Sequence, residues 1–426
     1  MRITIWILSL VLVATLTVAA GQAPAPQDED LLGPLKRFSQ VLDLVEDHYV
    51  RPVGRDELIN GAIEGMLQRL DPHSTFMSKD DFREMQISTQ GEFGGIGIEI
   101  TLQNGRLTVI SPIEDTPAYK AGMKAGDIIL EIDGHPTQDI TLVEAVKMIR
   151  GPKGTKVELT ILHKGGSAPE KVSLVRDTIP IRSAKSETLE DGYLYLRLTR
   201  FNENTTEEMR KLLKKAGGKA AIKGLVLDLR NNPGGLLDQA VSVADAFLPA
   251  GNVVYIQGRD ASSRKDFNAK TSADDIDAPM VVLINAGSAS ASEIVAGALQ
   301  DRDRALLLGE KTFGKATVQT VIPLADESGI KLTTALYYTP RGRSIQAQGI
   351  EPDMAIPFEA PHDDNGPRLG VVREEDLSGH IENQNGKTPA DGKEKNGEAA
   401  DLLKRDNQLR MALQLVKQLP RLKQIK

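Results

Sequence analysis

The stretch P-M-V-V-L-I-N-A-G-S-A-S-A-S-E-I, residues 279 to 294, decides the fold class. Pro279 to Asn285 is almost unbroken apolar sequence, the pattern of a strand buried on both faces. Small residues from Ala286 to Ser290 form a tight corner, and Ala291 to Leu299 then reads as a helix. The same order occurs upstream. Gly224 to Leu229 is a buried strand, Asn231-Asn232-Pro233-Gly234-Gly235 a turn, and Leu236 to Phe247 an amphipathic helix. Repeated strand-corner-helix units predict an α/β layer fold over residues 178 to 357, with ligands at the carboxyl ends of the strands.

N-terminal to this core the apolar period changes to two. Ile96, Ile98, Ile100 and Leu102 alternate up to Asn104-Gly105, and Leu107 and Val109 resume after it, the strongest short-range sign of a hairpin. A strand from Ile128 to Ile132, a helix from about Leu142 to Ile149 and a strand from Val157 to Leu162 complete a small β-rich unit over residues 89 to 177. With Gly94-Gly95-Ile96-Gly97-Ile98 and the run A-G-M-K-A-G-D-I-I-L-E-I-D-G (121 to 134), this unit resembles a bacterial PDZ domain. Such domains add an extended peptide to a sheet edge and hold its terminal carboxylate in a backbone nest. The resemblance implies a nest at Gly95, Ile96 and Gly97, leading into Ile98, and a groove helix carrying Val143 and Val146.

Residues 24 to 88 read as a helical segment. Leu35, Phe38, Val41, Leu42, Val45 and Tyr49 recur at helical spacing, and Leu58, Ile59, Ile63, Met66, Leu67 and Leu70 repeat it. Residues 358 to 399 turn polar and read as a disordered linker. A C-terminal helix is expected within 400 to 426, with Leu402, Leu403, Leu409, Leu413 and Val416 on one side. These terminal segments carry more apolar face than a catalytic domain obviously needs, which predicts homo-oligomer contacts through one or both of them. At the start, Arg2 precedes an uncharged run from Ile3 to Ala20 and then small residues. Residues 1 to 23 therefore read as a secretory signal, with an uncleaved anchor as the alternative. The product is expected in the periplasm.

The 426 residues suit two or three domains, and a net charge of -7 argues against a protein devoted to nucleic acid. Cysteine is absent, which excludes disulfides and thiolate chemistry, and no histidine occurs from Lys164 to Pro361. A Ser-His-Asp triad cannot be built within the α/β domain, so acyl transfer there needs Lys, Asp or Glu as base. Ser290 sits where free helix N-H groups stabilise developing negative charge, although a serine there can also be only a helix cap. Downstream, Gly309 to Gln319 reads as a turn entering a strand, whose alternation puts Lys315 and Gln319 on one side. A lysine base must fall about 3 units from its usual 10.4, roughly 4 kcal/mol of destabilised charge. Burial among small residues could supply this, with Gln319 holding the amine without adding charge.

Taken in order, L-D-P-H-S-T-F-M (70 to 77), the PDZ-like unit, L-D-L-R-N-N-P-G-G (227 to 235), G-S-A-S-A-S-E-I (287 to 294) and E-K-T-F-G-K-A-T-V-Q (310 to 319) resemble the carboxy-terminal processing peptidases of bacteria and plastids. The resemblance covers about 31 to 357. It implies a multidomain α/β protein, with a core similar to the crotonase and Clp-protease fold, an inserted PDZ domain and helical ends. It further implies an exported serine endopeptidase with Ser290 as nucleophile, Lys315 as general base and Gln319 as orienting residue. The oxyanion hole would be the N-H of Ala291 and of Gly235, with Gly234 the alternative. No cofactor or metal is needed. Implied partners are envelope proteins bound by their C-termini, peptidoglycan hydrolases among them, and sometimes a lipoprotein adaptor. An inert PDZ scaffold is the competing reading, under which the Ser290, Lys315 and Gln319 set would be accidental. An acyl-thioester enzyme, suggested by the crotonase-like core, fits neither the export signal nor the peptide-binding domain.

Overall fold

The computed structural model describes residues 32 to 359 and 397 to 422. The expected signal segment and most of the expected linker lie outside the described residues. Residues up to Phe76 form one compact unit and those from Met77 another. Among the described residues no helix is long and apolar enough to cross a membrane.

The first unit holds α1 (Leu32–His48) and α2 (Arg55–Gln68), joined by Arg55 pairing with Asp43 and Glu46. The helical periodicity of α1 is real, yet Leu35, Phe38, Val41 and Leu44 stay exposed.

The second unit begins with α3 (Lys79–Gln90), capped by the Ser78 hydroxyl and closed by left-handed Gly91. Next come β1 (Glu92–Gly95), β2 (Ile98–Gln103), β3 (Arg106–Pro112), β4 (Ile128–Ile132), α4 (Leu142–Ile149), β5 (Lys156–Leu162), β6 (Glu170–Val175) and β7 (Asp177–Pro180). Strands β2 to β6 form an antiparallel sheet in sequence order around Ile96, Leu107, Ile129, Leu159 and Ile161. Asn104 and Gly105, both at positive φ, make the expected hairpin. Strand β2 is the edge, and α4 packs beside it behind a Thr141–Glu144 capping box. The short ribbon of β1 and β7 forms the stem of this domain.

The remaining chain runs β8 (Ala184–Glu190), β9 (Tyr193–Leu198), α5 (Thr205–Lys215), β10 (Gly224–Asp228), α6 (Leu237–Asp245), β11 (Gly251–Gln257) and β12 (Lys265–Ala269). It continues with β13 (Met280–Ile284), α7 (Ala291–Asp301), β14 (Leu306–Gly309), β15 (Thr317–Pro323), β16 (Gly329–Tyr338), β17 (Met354–Ala355), α8 (Glu398–Arg405) and α9 (Asn407–Leu422). The main sheet has the order β8-β9-β10-β13-β14-β17, parallel except for β8. Every residue of β10 and β13 is buried, because helices cover both faces. On one face Leu196, Leu227 and Val282 meet Met209, Val243 and Val295 of α5, α6 and α7. On the other, Tyr195, Val226, Val281 and Leu283 meet Leu409, Ala412, Leu413 and Val416 of α9. A second sheet places β16 between β15 and β11.

Two expectations change here. The C-terminal helix is two helices, because Asp406 leaves helical geometry at φ -124, ψ 101 and its carboxylate caps α9 by accepting the Leu409 N-H. The apolar side of α9, read from the sequence as surplus, also packs on the chain's own sheet.

Candidate active site

The corner after β13 is built from its own polar groups. The Ser288 hydroxyl donates to Leu229 O at 2.8 Å and accepts the Asn285 N-H at 3.0 Å, tying the ends of β10 and β13 together. Ser290 follows at φ 55, ψ -113, a conformation that L residues rarely adopt and that must be held from outside. Glu293, in the first turn of α7 and fully buried, accepts the Ser290 N-H at 2.8 Å. Its carboxylate also accepts from Thr312 Oγ1, the Gly314 N-H and the Lys315 N-H. Tyr337, 1% exposed, sets its hydroxyl 3.0 Å from Ser290 O and 2.8 Å from Lys315 O. Two buried side chains thus bind the serine corner to the lysine loop. Burial holds the Glu293 carboxyl above its usual range, although the hydrogen bonds it accepts pull the other way. The Tyr337 phenol is raised by burial and then by the Glu293 charge, so it remains a proton donor.

Lys315 lies in the loop before β15, and the ladder of β15 shifts register between Val318 and Gln319. Strand alternation is therefore not what puts Lys315 and Gln319 on one side. Both nonetheless line one cleft of about 500 Å3, together with Ser290, Ala291, Gly235, Ile294 and Val318. The Gln319 amide donates to Thr333 Oγ1 at 3.3 Å. Ser88 and Thr89 at the end of α3 reach the same cleft.

The facing wall is the loop after β10. Asn231, at φ 55, exchanges side-chain and backbone hydrogen bonds with Asn285, and Asn232 O accepts the Ala289 N-H and the Ser292 hydroxyl. The Gly234 N-H is taken by Asn232 Oδ1 at 2.9 Å. Among the described residues the Gly235 and Ala291 N-H groups donate to nothing. Gly235 stands at φ 145, where a Cβ would lie 2.1 Å from Phe201 O.

At the PDZ-like groove the expected residues divide. Gly95 ends β1, paired with Asp177, and the Ile96 side chain is fully buried in the small core. Ile96 can serve a peptide only through its N-H, which, like that of Gly97, donates to nothing among the described residues. Gly97 needs its φ of 77, and a Cβ there would meet Thr116 Cβ at 2.3 Å. Ile98 on β2 and Val146 on α4 are half-buried, whereas Val143 is 66% exposed.

Glu293 and Tyr337 were not among the expected site residues. Glu293 had a signal in the S-x-x-E spacing from Ser290, which reads as a helix-capping pattern. Tyr337 arrives from a distant strand and had none.

Comparison with known proteins gives a consistent result. The peptidase family S41 profile matches residues 192 to 356, a PDZ domain profile residues 108 to 162, and the profile of the activating protease CtpB N-terminal domain residues 14 to 81. A carboxy-terminal-processing protease of Bartonella bacilliformis is 44% identical over 383 residues, 89% of this chain and 88% of that protein. A carboxyl-terminal-processing protease of Synechocystis is 40% identical over 322 residues, 74% of each chain. Among solved structures, the photosystem II D1 C-terminal processing protease matches at 32% identity and a TM-score of 0.44, over 75% of this chain and 86% of that one.

Proposed function

The chain belongs to the carboxy-terminal-processing serine proteases of peptidase family S41, and from that premise we propose that Ser290 is its nucleophile, Lys315 its general base and Gln319 the residue that orients the lysine. One observation carries the reading. Ser290, strained at the start of α7, opens on the same cleft as Lys315 and the unengaged N-H groups of Gly235 and Ala291. The Ser290 hydroxyl attacks the peptide carbonyl carbon, and its proton passes to the neutral amine of Lys315. The oxyanion accepts from Gly235 and Ala291, while Gly234 is already engaged. Collapse expels the leaving amine with the proton from Lys315, and water activated by the same amine releases the acyl group. Ser290→Ala and Lys315→Ala should fold and not turn over, and Lys315→Arg should fail too because guanidinium stays protonated. Near wild-type hydrolysis by Lys315→Ala would overturn the dyad.

The PDZ domain serves a protein substrate's C-terminus, with the carboxylate on the Ile96 and Gly97 N-H groups and the last side chain between Ile98 and Val146. The apolar N-terminal run supports export to the periplasm, by a cleaved signal or an uncleaved inner-membrane anchor. Substrates are then envelope proteins, and a lipoprotein adaptor is a further partner. Self-association runs through the exposed apolar side of α1. Proteins retained by a Ser290→Ala trap and identified by mass spectrometry would name the substrates.

A further inference from the structure

Arg230 immediately precedes the Asn231–Gly235 loop, two residues after the end of β10, and its guanidinium turns away from the cleft into a closed cluster. It lies 8% exposed between two carboxylates. Nε and Nη2 donate to Asp228 at 3.0 and 2.7 Å, while Nη2 and Nη1 donate to Asp406 at 2.6 and 3.1 Å. Nη1 also donates to Gln408 Oε1 at 2.8 Å. Asp228 in turn accepts the Arg230 N-H and the Tyr195 hydroxyl, so its carboxylate shapes the backbone where the loop begins. Asp406 caps α9, and Gln408 donates to Ile356 O. A rigid fork with two carboxylates fixes direction as well as charge. Removing one partner of such a buried pair leaves the other uncompensated.

We infer that the C-terminal helices are a working part of the catalytic domain, with Asp406 a positioning residue that acts through Arg230 on the Asn231–Gly235 loop. The inference rests on the proposed oxyanion role of Gly235. The loop is already tied to the serine corner through Asn285, Ala289 and Ser292 on the cleft side. Asp406 supplies the opposing hold from behind the sheet. A donor group that shifts by a fraction of an ångström loses its fit to the oxyanion while the ground-state peptide still binds.

The test uses the full chain and an internally quenched peptide with an apolar C-terminal residue. Asp406→Asn should lower kcat about tenfold or more, since losing an oxyanion donor outright costs about a hundred- to a thousandfold, and leave KM within about twofold. Amide hydrogen exchange of Asn231 to Gly235 should quicken, while that of β13 stays slow. Leu413→Ala, which removes packing from the same helix and none of the charged cluster, should lower the melting temperature and leave kcat unchanged well below it. Unchanged kcat in folded Asp406→Asn, or an equal loss of kcat in Leu413→Ala, overturns the inference. Should Asp406→Asn not fold, Gln408→Leu takes one acceptor from the same guanidinium. There a severalfold lower kcat at unchanged KM is expected, and wild-type kcat overturns the inference. Ser290→Ala run in parallel separates the failures, because activity there removes the catalytic reading itself, whereas loop exchange reports on Asp406 independently.

Discussion

Replacing Glu293 by Gln changes one carboxylate oxygen to an amide and leaves size and shape alone. In the native site one oxygen accepts from Thr312 Oγ1 and the Gly314 N-H, and the other from the Ser290 and Lys315 N-H groups. The amide nitrogen accepts nothing, so it must face one of these pairs. Facing Ser290 and Lys315 would orphan two buried donors, at about 1–3 kcal/mol each. Facing Thr312 and Gly314 orphans the Gly314 N-H and takes the acceptor from the Thr312 hydroxyl, but that hydroxyl can turn and accept from the amide, so one hydrogen bond is regained. The second arrangement wins, and the expected net cost is about 1–3 kcal/mol of stability. Relief from burying a charge offsets part of it. Gly314 adjoins Lys315, so kcat/KM should fall severalfold or more with folding preserved. The pH dependence gives an independent check. The folded carboxyl titrates above its reference of 4.5, so the folded state holds this proton more tightly than the unfolded one. The contribution of Glu293 to stability is therefore greatest below pH 4.5 and declines as pH rises through its folded value. Glu293→Gln should remove that decline. Urea titrations from pH 4 to 8 with peptide kinetics at pH 8 make the measurement. Wild-type kcat/KM together with an unaltered pH profile of stability would refute the reasoning.

Tyr337→Phe removes the hydroxyl beside Ser290 O and Lys315 O, and denaturant melts should show a loss of about 1–2 kcal/mol with a severalfold lower kcat. Gly235→Ala should abolish turnover, because its Cβ would strike Phe201 O at 2.1 Å; full activity in a peptide assay would count against Gly235 as a donor. Lys147 and Arg150 on α4 pair with Asp80 and Glu84 on α3, whose far end lines the cleft. Pairs as exposed as these contribute little to stability, so Lys147→Glu with Arg150→Glu should melt normally yet change cleavage of a short peptide severalfold if α3 transmits the PDZ position. An unchanged rate would leave the PDZ domain as a delivery device. Leu35→Asp with Phe38→Asp should lower the mass seen by light scattering if the exposed side of α1 is an interface.

The features legible beforehand were those in which a local signal and a local structure coincide. Asn104-Gly105 specifies a turn by backbone conformation alone, and the apolar runs at β10 and β13 admit little but buried strands. Ser290, Lys315 and Gln319 were legible as motif residues, yet the reason they line one cleft was not. The alternation invoked for Lys315 fails because its residue precedes the strand and the ladder is bulged. Tyr337 reaches the site, and Asp406 reaches Arg230 behind the sheet, across long sequence separations for which no periodic pattern exists. The apolar stripe of α9 was visible, but a stripe does not say what covers it. That it meets Val226 and Val281 of its own sheet is a tertiary fact.

The position of α9, far downstream of the strands it covers, has a consequence in time. Lys417 pairs with Glu190 across 227 residues of sequence, and among the described residues it is α9 that covers the back of the sheet around Tyr195 and Val281. A chain made from its N-terminus holds Ser290, Lys315 and the PDZ domain well before it holds α9. Entropy alone does not forbid so late a closure, since doubling a loop costs only about 0.6 kcal/mol. It does slow the step, because distant contacts are rewarded late. Until α9 has docked, the nascent chain therefore carries the Ser290 and Lys315 motifs on a sheet whose back is still uncovered.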